Sequence, residues 1–363
     1  MEKENNSFDE VYEMLKKSTN ETEEQETTED TGHVYNIHVE YMSDDEKERS
    51  AKKIKLSDLK ISSVKTEDEK TQNILDLISS KPRAAFIATQ SGYSGTIEPL
   101  TMRDFVTIYN SNLDSVEGKK MLISTIYKKI KETNCTPGKK MNFEMWKEKT
   151  SIGDLQSFYY ALYCATFPDQ GSFVYECPKC GEVVKSKILN DSLITSSDND
   201  YIKQVRELIK TKCNSIETMD EYSLMNPKNN DLFECPSGDV VFELTTPSIK
   251  TFLGIHEIID AKTLSTIGVD LLNEILHINR MFLKNKDGEF VEYQDKTSIL
   301  ALLSSISNDD QFVIREEVYK RMEEQYVYYS IKNPKCTNCN HKMNEIRLNM
   351  ENLLFTLIFE KAS

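Results

Sequence analysis

Tyr175-Glu176-Cys177-Pro178-Lys179-Cys180-Gly181 and Pro334-Lys335-Cys336-Thr337-Asn338-Cys339 are the two stretches that decide the reading of this chain. Each is a Cys-x-x-Cys turn between strand-like sequences, Phe173 to Glu176 with Val183 to Leu189, and Tyr328 to Ile331 with Met343 to Leu348. Both therefore read as hairpins whose turn is a cysteine knuckle. This spacing lets two thiolates from one turn reach the same ion while backbone N–H groups donate to the sulfurs. Pro178 and Gly181 suit such a turn.

Together Cys177, Cys180, Cys336 and Cys339 supply the four thiolates of a tetrahedral site, and zinc is the expected ion, one per chain. Knuckles that share a metal usually lie about 15 to 20 residues apart. Here 155 residues separate Cys180 from Cys336. One metal per knuckle, with further ligands such as His341, is the alternative. A closed four-thiolate set leaves no open position for water or substrate, so the predicted role is structural. Of the other cysteines, Cys164 falls on the apolar face of a predicted helix and reads as core, while Cys135 and Cys213 stand in polar surroundings. Cys235, in Phe233-Glu234-Cys235-Pro236, resembles half a knuckle and is a candidate substitute ligand.

Outward from the knuckles the patterns are mostly helical. Regular apolar residues begin at Ile74, Leu75, Leu77 and Ile78, and Ala85 to Ala88 and Gly95 to Leu100 read as strands around a turn at Ser91 to Gly95. Thr101 to Asp104 forms a cap before Phe105, Ile108 and Tyr109, and helices are predicted from about Ser115 to Lys131 and from Ser151 to Phe167. In the second half Val240 to Thr245 reads as a strand, followed by Phe252 and Ile255 at helical spacing. Helical stretches are predicted at Gly268 to Phe282, Thr297 to Ile306 and Asp310 to Glu324, with Leu271, Leu272, Ile275, Ile278, Leu300 and Leu303 as core. Corresponding features recur at offsets of 144 (Thr101 to Thr245), 147 (Phe105 to Phe252) and 159 (Cys177 to Cys336), as expected of a duplicated unit carrying insertions. Chance reuse of a hairpin pattern is the alternative. The expected fold is α+β and mainly helical: two units, residues 71–215 and 216–363, each with short strands and a knuckle hairpin, joined in a zinc-ribbon-like site.

Of the 363 residues, 45 are Lys or Arg and 60 are Asp or Glu, a formal charge of −15. Residues 1–50 hold 16 acidic and 5 basic residues, net −11, which leaves −4 for the rest. Residues 1–70 read as an acidic, disordered tail, too poor in apolar residues to offset ordering entropy. Within it Ser7 to Glu10 has capping-box form, and Phe8, Val11, Tyr12 and Leu15 share one helical face that could dock in a partner groove. No run of about 18 apolar residues predicts a membrane span, and the start Met1 to Glu10 lacks the layout of a secretory signal, so an intracellular product is expected.

No phosphate-binding loop, Gly-x-Ser-x-Gly elbow or Rossmann glycine pattern occurs. His256-Glu257 lacks the second histidine of a metalloprotease helix, and His256 reads as a surface or helix-edge residue. His38-Val39-Glu40 lies too far from either knuckle for a zinc deaminase. The expected class is non-enzymatic.

The layout resembles a family, the baseplate hub and hub-assembly proteins of T-even-type contractile-tailed phages. The resemblance is carried by Phe86 to Gly95 leading into Leu100 to Phe105, then Ile152 to Leu162, then Tyr175 to Cys180, with a looser echo from Val240 to Phe359. It implies a structural or assembly factor of a phage tail, working beside other tail or baseplate proteins in the host cytoplasm, whether or not it is retained in the virion. Two other classes stay open. One is a zinc-ribbon, nucleic-acid-binding or transcription-accessory protein, suggested by Lys179, Lys185, Lys187, Lys332, Lys335, Lys342 and Arg347; Glu176, Glu182, Asp191, Glu345 and Glu351 interleave with these bases and argue against it. The other is a tail-assembly chaperone whose acidic tail keeps a partner soluble.

Overall fold

The computed structural model describes residues 83–362, apart from 114, 168–170, 189–193, 196–199, 226–231, 259–260, 332–333 and 344–345. All described residues belong to one compact unit, Ile37–Ser363. The acidic stretch 1–70, with Phe8, Val11, Tyr12, Leu15 and His38, and the apolar run at Ile74 to Ile78 lie outside the described residues.

The first half opens with an antiparallel hairpin, β1 (Ala84–Ala88) and β2 (Tyr93–Ile97). Its turn needs Gly92, which holds φ +82° and whose N–H donates to the Ala88 carbonyl at 2.9 Å. Helix α1 (Met102–Tyr109) starts at a Thr101/Asp104 capping box and buries Phe105 and Ile108. Helix α2 (Val116–Lys129) is capped by Ser115. It stops two residues short of the expected end, because β3 (Ile130–Thr133) turns extended and pairs with β2. A short helix follows, α3 (Phe143–Lys149), capped by Asn142 and anchored by buried Trp146. The expected order of three helices and then a strand is thus corrected by β3 and α3.

The helix predicted from Ser151 is a 3-10 turn, Ile152–Asp154, continuing into α4 (Leu155–Thr166). The first knuckle hairpin is β4 (Gly171–Glu176) and β5 (Val183–Ile188). Strand β6 (Ile194–Thr195) and helices α5 (Asp200–Lys212) and α6 (Ile216–Tyr222) follow.

The second half runs through β7 (Leu232–Glu234), β8 (Val240–Leu244), α7 (Ile249–Ile258) and α8 (Ala261–His277). Next come β9 (Ile278–Lys284), β10 (Phe290–Tyr293), α9 (Lys296–Leu303) and α10 (Asn308–Gln325). The chain finishes with β11 (Tyr329–Ile331), β12 (Ile346–Leu348) and α11 (Met350–Ala362). The predicted helix Gly268 to Phe282 is displaced. Gly268, at φ +72° and ψ 165°, interrupts α8, and Ile278 to Phe282 belong to β9, which pairs with β8. Ile278 satisfies both a helical and a strand pattern, and sheet pairing decides between them.

Both halves run through a hairpin, two helices, a strand added to the second hairpin strand, two helices and a knuckle hairpin, and the second half inserts one more strand, β10, after the added strand. The added strand even carries its register shift at the same place, between Thr96 and Ile97 where Ile97 faces Ile130, and between Glu243 and Leu244 where Leu244 faces Ile278. Each half has its own core. In the first, Phe158 packs against Phe86 at 4.7 Å and Trp146 at 5.8 Å between ring centroids. In the second, Phe242, Leu244, Ile275, Ile278, Ile299 and Leu303 cluster, with Leu271, Leu272 and Leu300 partly buried against them, as the apolar periodicity predicted. Burying each such side chain stabilises by about 1.5 to 3 kcal/mol.

The halves touch where Ile249 N–H donates to the Thr150 carbonyl at 2.8 Å and Ile152 N–H to the Pro247 carbonyl at 3.1 Å. Strand β6 of the first half pairs with β11 of the second, and α11 returns to pack on α4 and α1. Among the described residues no helix is long and apolar enough to cross a membrane.

Candidate metal centre

The two knuckles have the same backbone. In the first, Cys177 N–H donates to the Glu182 carbonyl at 2.9 Å, and Gly181 N–H to the Cys177 carbonyl at 2.8 Å. In the second, Cys336 N–H donates to the His341 carbonyl at 3.0 Å, and Asn340 N–H to the Cys336 carbonyl at 3.1 Å. The residue after the second cysteine must turn left-handed, and it does so as Gly181 at φ +68° and Asn340 at φ +54°. Glycine and asparagine are the residues that tolerate this region best.

This turn buries the first sulfur of each pair, Cys177 and Cys336, and leaves the second outside, with Cys180 exposed and Cys339 half-buried. The sulfurs meet across the halves: Cys177 Sγ lies 3.7 Å from Cys339 Sγ, and Cys180 Sγ 3.6 Å from Cys336 Sγ. All four fall within 4.8 Å of one another. A tetrahedron with metal–sulfur bonds of about 2.3 Å has edges of about 3.8 Å, whereas a disulfide needs about 2.05 Å. The spacing therefore fits a four-thiolate metal site, not a disulfide pair. Exchanging the two knuckles maps each contact onto the other, so the site has local two-fold symmetry.

Electrostatics explains why the set suits a cation. Backbone N–H groups of Cys339 and Asn338 bring the Cys336 thiol down to about 7, one of them a Cys339 N–H at 3.5 Å from the sulfur. At Cys180 an N–H from Glu182 also pulls downward, but lost hydration and the three neighbouring sulfurs outweigh it and push the thiol up to about 12. Four thiolates at this spacing repel one another, and a divalent ion between them removes that repulsion.

The remaining cysteines stay apart from this cluster, the single group among the described residues with metal-ligand spacing. Cys235 is buried in the second core, where burial pushes its thiol up to about 12, so it serves as packing and not as a substitute ligand. Cys135 and Cys213 are buried, contrary to the polar surroundings their neighbours suggested, and Cys164 is half-buried. His341 is not among the clustered ligands; it contributes its carbonyl to the knuckle turn. His256 is not a surface residue. It is buried on α7 edge-on to Phe252, and burial with the nearby Lys119 charge lowers its imidazole to about 4.

Sequence reasoning missed two aspartates that place the helices leading to the knuckles. Asp154, fully buried, accepts from Gln90 N–H at 3.1 Å, from Ser91 N–H at 2.9 Å and from the Ser91 hydroxyl at 2.5 Å. Burial pushes its carboxyl up to about 6 against these hydrogen bonds. Asp310 likewise accepts from Ser237 N–H at 3.1 Å. Both aspartates follow a capping serine by three residues, Ser151 and Ser307. Both bind the turn of their own half's hairpin, one residue before a left-handed glycine, Gly92 or Gly238. The Ser-x-x-Asp spacing is the signal that could have found them.

No family model, curated protein or solved structure matches the chain.

Proposed function

We propose that this protein is a non-enzymatic structural or assembly component in which one zinc ion staples two copies of a duplicated unit. The observation that carries the proposal is the set of four sulfurs, two from each half, at tetrahedral-edge spacing across 155 residues of intervening sequence. Zinc is favoured because four thiolates in a closed shell suit a d10 ion with no demand for an open position or a redox partner. Duplication is supported by the shared element order, the matching register shifts and the Asp154–Ser91 and Asp310–Ser237 pairs.

The setting we propose is the tail of a contractile phage, at the baseplate hub or in its assembly, with other tail or baseplate proteins as partners. Its support is the resemblance described above; of its quoted stretches, the β1–β2 turn and the start of α4 meet through the Asp154 hydrogen bonds to Gln90 and Ser91.

Metal content by mass spectrometry tests the centre, with wild type measured beside Cys180→Ser and Cys339→Ser. One zinc per chain, lost in either variant, is expected. Two ions, another metal, or loss in only one variant would sink the shared zinc site. For the setting, assembled tails should be missing when a phage lacks this chain, and normal tails without it would remove the phage reading.

A further inference from the structure

We infer that the four-thiolate centre is also an oxidation site, at which a peroxide exchanges the metal for disulfides crossing between the halves, Cys180 to Cys336 first and Cys177 to Cys339 second. This rests on the metal reading above and adds a mode of regulation to the same site.

Accessibility sets the order. Cys180 is the one exposed residue of the four, so oxidant in solution meets it first. Its neighbour at 3.6 Å is Cys336, which is buried and belongs to the other half. Closing that gap to a disulfide length requires about 1.6 Å of sulfur movement, within reach of a side-chain rotation at exposed Cys180. The knuckle turns hold the buried sulfurs in place, since Cys177 and Cys336 each have both backbone groups engaged within their own knuckle. Each buried sulfur therefore faces the outer sulfur of the opposite knuckle, and the 3.7 Å pair Cys177 and Cys339 repeats the arrangement.

The chemistry balances. Cys180, kept as a thiolate by the bound ion, attacks one oxygen of hydrogen peroxide, the O–O bond breaks, and a sulfenic acid forms with release of hydroxide. The Cys336 thiolate then attacks that sulfur, an S–S bond forms, the S–O bond breaks and a second hydroxide leaves. Two thiolates lose two electrons, the peroxide gains two, and both hydroxides take protons from water or buffer. Two remaining thiolates do not complete the metal's shell, so the ion is released, and a second peroxide oxidises Cys177 and Cys339 in the same way. Both bridges join residues of opposite halves, so the halves stay tied after the metal leaves.

The test uses the full chain with its metal content measured first. Hydrogen peroxide is added, released metal is followed with a colorimetric chelator, free thiols are blocked, and disulfides are mapped by mass spectrometry. The expected result is a Cys180–Cys336 crosslink rising together with released metal and ahead of any Cys177–Cys339 crosslink. In Cys336→Ser a sulfenic acid should accumulate at Cys180, trappable by dimedone. Links within a knuckle as the main product, or retained metal and four reduced thiols in excess peroxide, would overturn the inference. A chain purified without metal would overturn the metal reading and with it the exchange. Mapping on that same sample still decides the cross-half pairing separately.

Discussion

The ring of Tyr326 lies against Gly153 so closely that a Cβ at Gly153 would sit 2.8 Å from the Tyr326 ring. One residue comes from the 3-10 turn of the first half and the other from the end of α10 in the second, and the Tyr326 hydroxyl lies 2.6 Å from His277 Nε2. Gly153→Ala should therefore destabilise by about 1 to 3 kcal/mol through overpacking. Thermal melts should show the loss, and Tyr326→Leu should recover part of it in the double variant. Additive losses would mean the contact is not the cause.

Stability should fall as pH drops from about 6.5 to 4. Burial lowers the His277 imidazole from its ordinary 6.5 to about 4, so across that window the unfolded chain binds a proton that the folded chain refuses. The loss is on the order of 3 kcal/mol, and His256, also lowered to about 4, acts in the same direction. Asp154 acts oppositely: raised to about 6, it is the folded state that binds the extra proton between about 4 and 6. Asp154→Asn should thus steepen the acid loss. Urea titrations at pH 4.5 and 7 would measure it, and a shallower dependence in the variant would contradict the assignment.

Removing the metal, by chelation or through Cys180→Ser, should cost about 5 kcal/mol if the link acts by closing a loop of about 155 residues in the unfolded chain. Chemical denaturation with and without chelator reads this directly. An unchanged midpoint would show that the ion holds nothing together.

Cys235→Ala should leave metal stoichiometry unchanged while lowering the melting temperature, because the thiol packs in the second core and stands apart from the cluster. Lost metal would restore it as a ligand.

At the knuckles, Gly181→Ala should cost about 1 kcal/mol and weaken metal retention, since a Cβ is disfavoured at φ +68°. Asn340→Gly should be tolerated or mildly stabilising, because it relieves the same constraint. Competition with a metal indicator would compare the two.

The sequence spoke clearly where structure is local. The knuckle hairpins, the Thr101 cap, the helix starting near Ser115 and the α10 stretch were legible because turn chemistry and helical spacing act over a few residues. Strands β3 and β9 were not. Each follows its helix with no glycine or proline between, at Lys129 to Ile130 and at His277 to Ile278, and each is extended through pairing with a strand over 30 residues earlier. Helix α3, with seven residues, was too short to show a period. Asp154 and Asp310 were hidden among 60 acidic residues, because the Ser-x-x-Asp spacing marks a cap without showing that the carboxylate is buried against a hairpin turn.

The distance between the knuckles also has a consequence in time. A ribosome that has just placed Cys180 must add 155 further residues before Cys336 exists. At about 5 to 20 residues per second this takes roughly 8 to 30 seconds, during which the first knuckle is a bare dithiol on a nascent chain. The four-sulfur set is complete only once Cys339 has been added, so a product truncated before that residue can never assemble it.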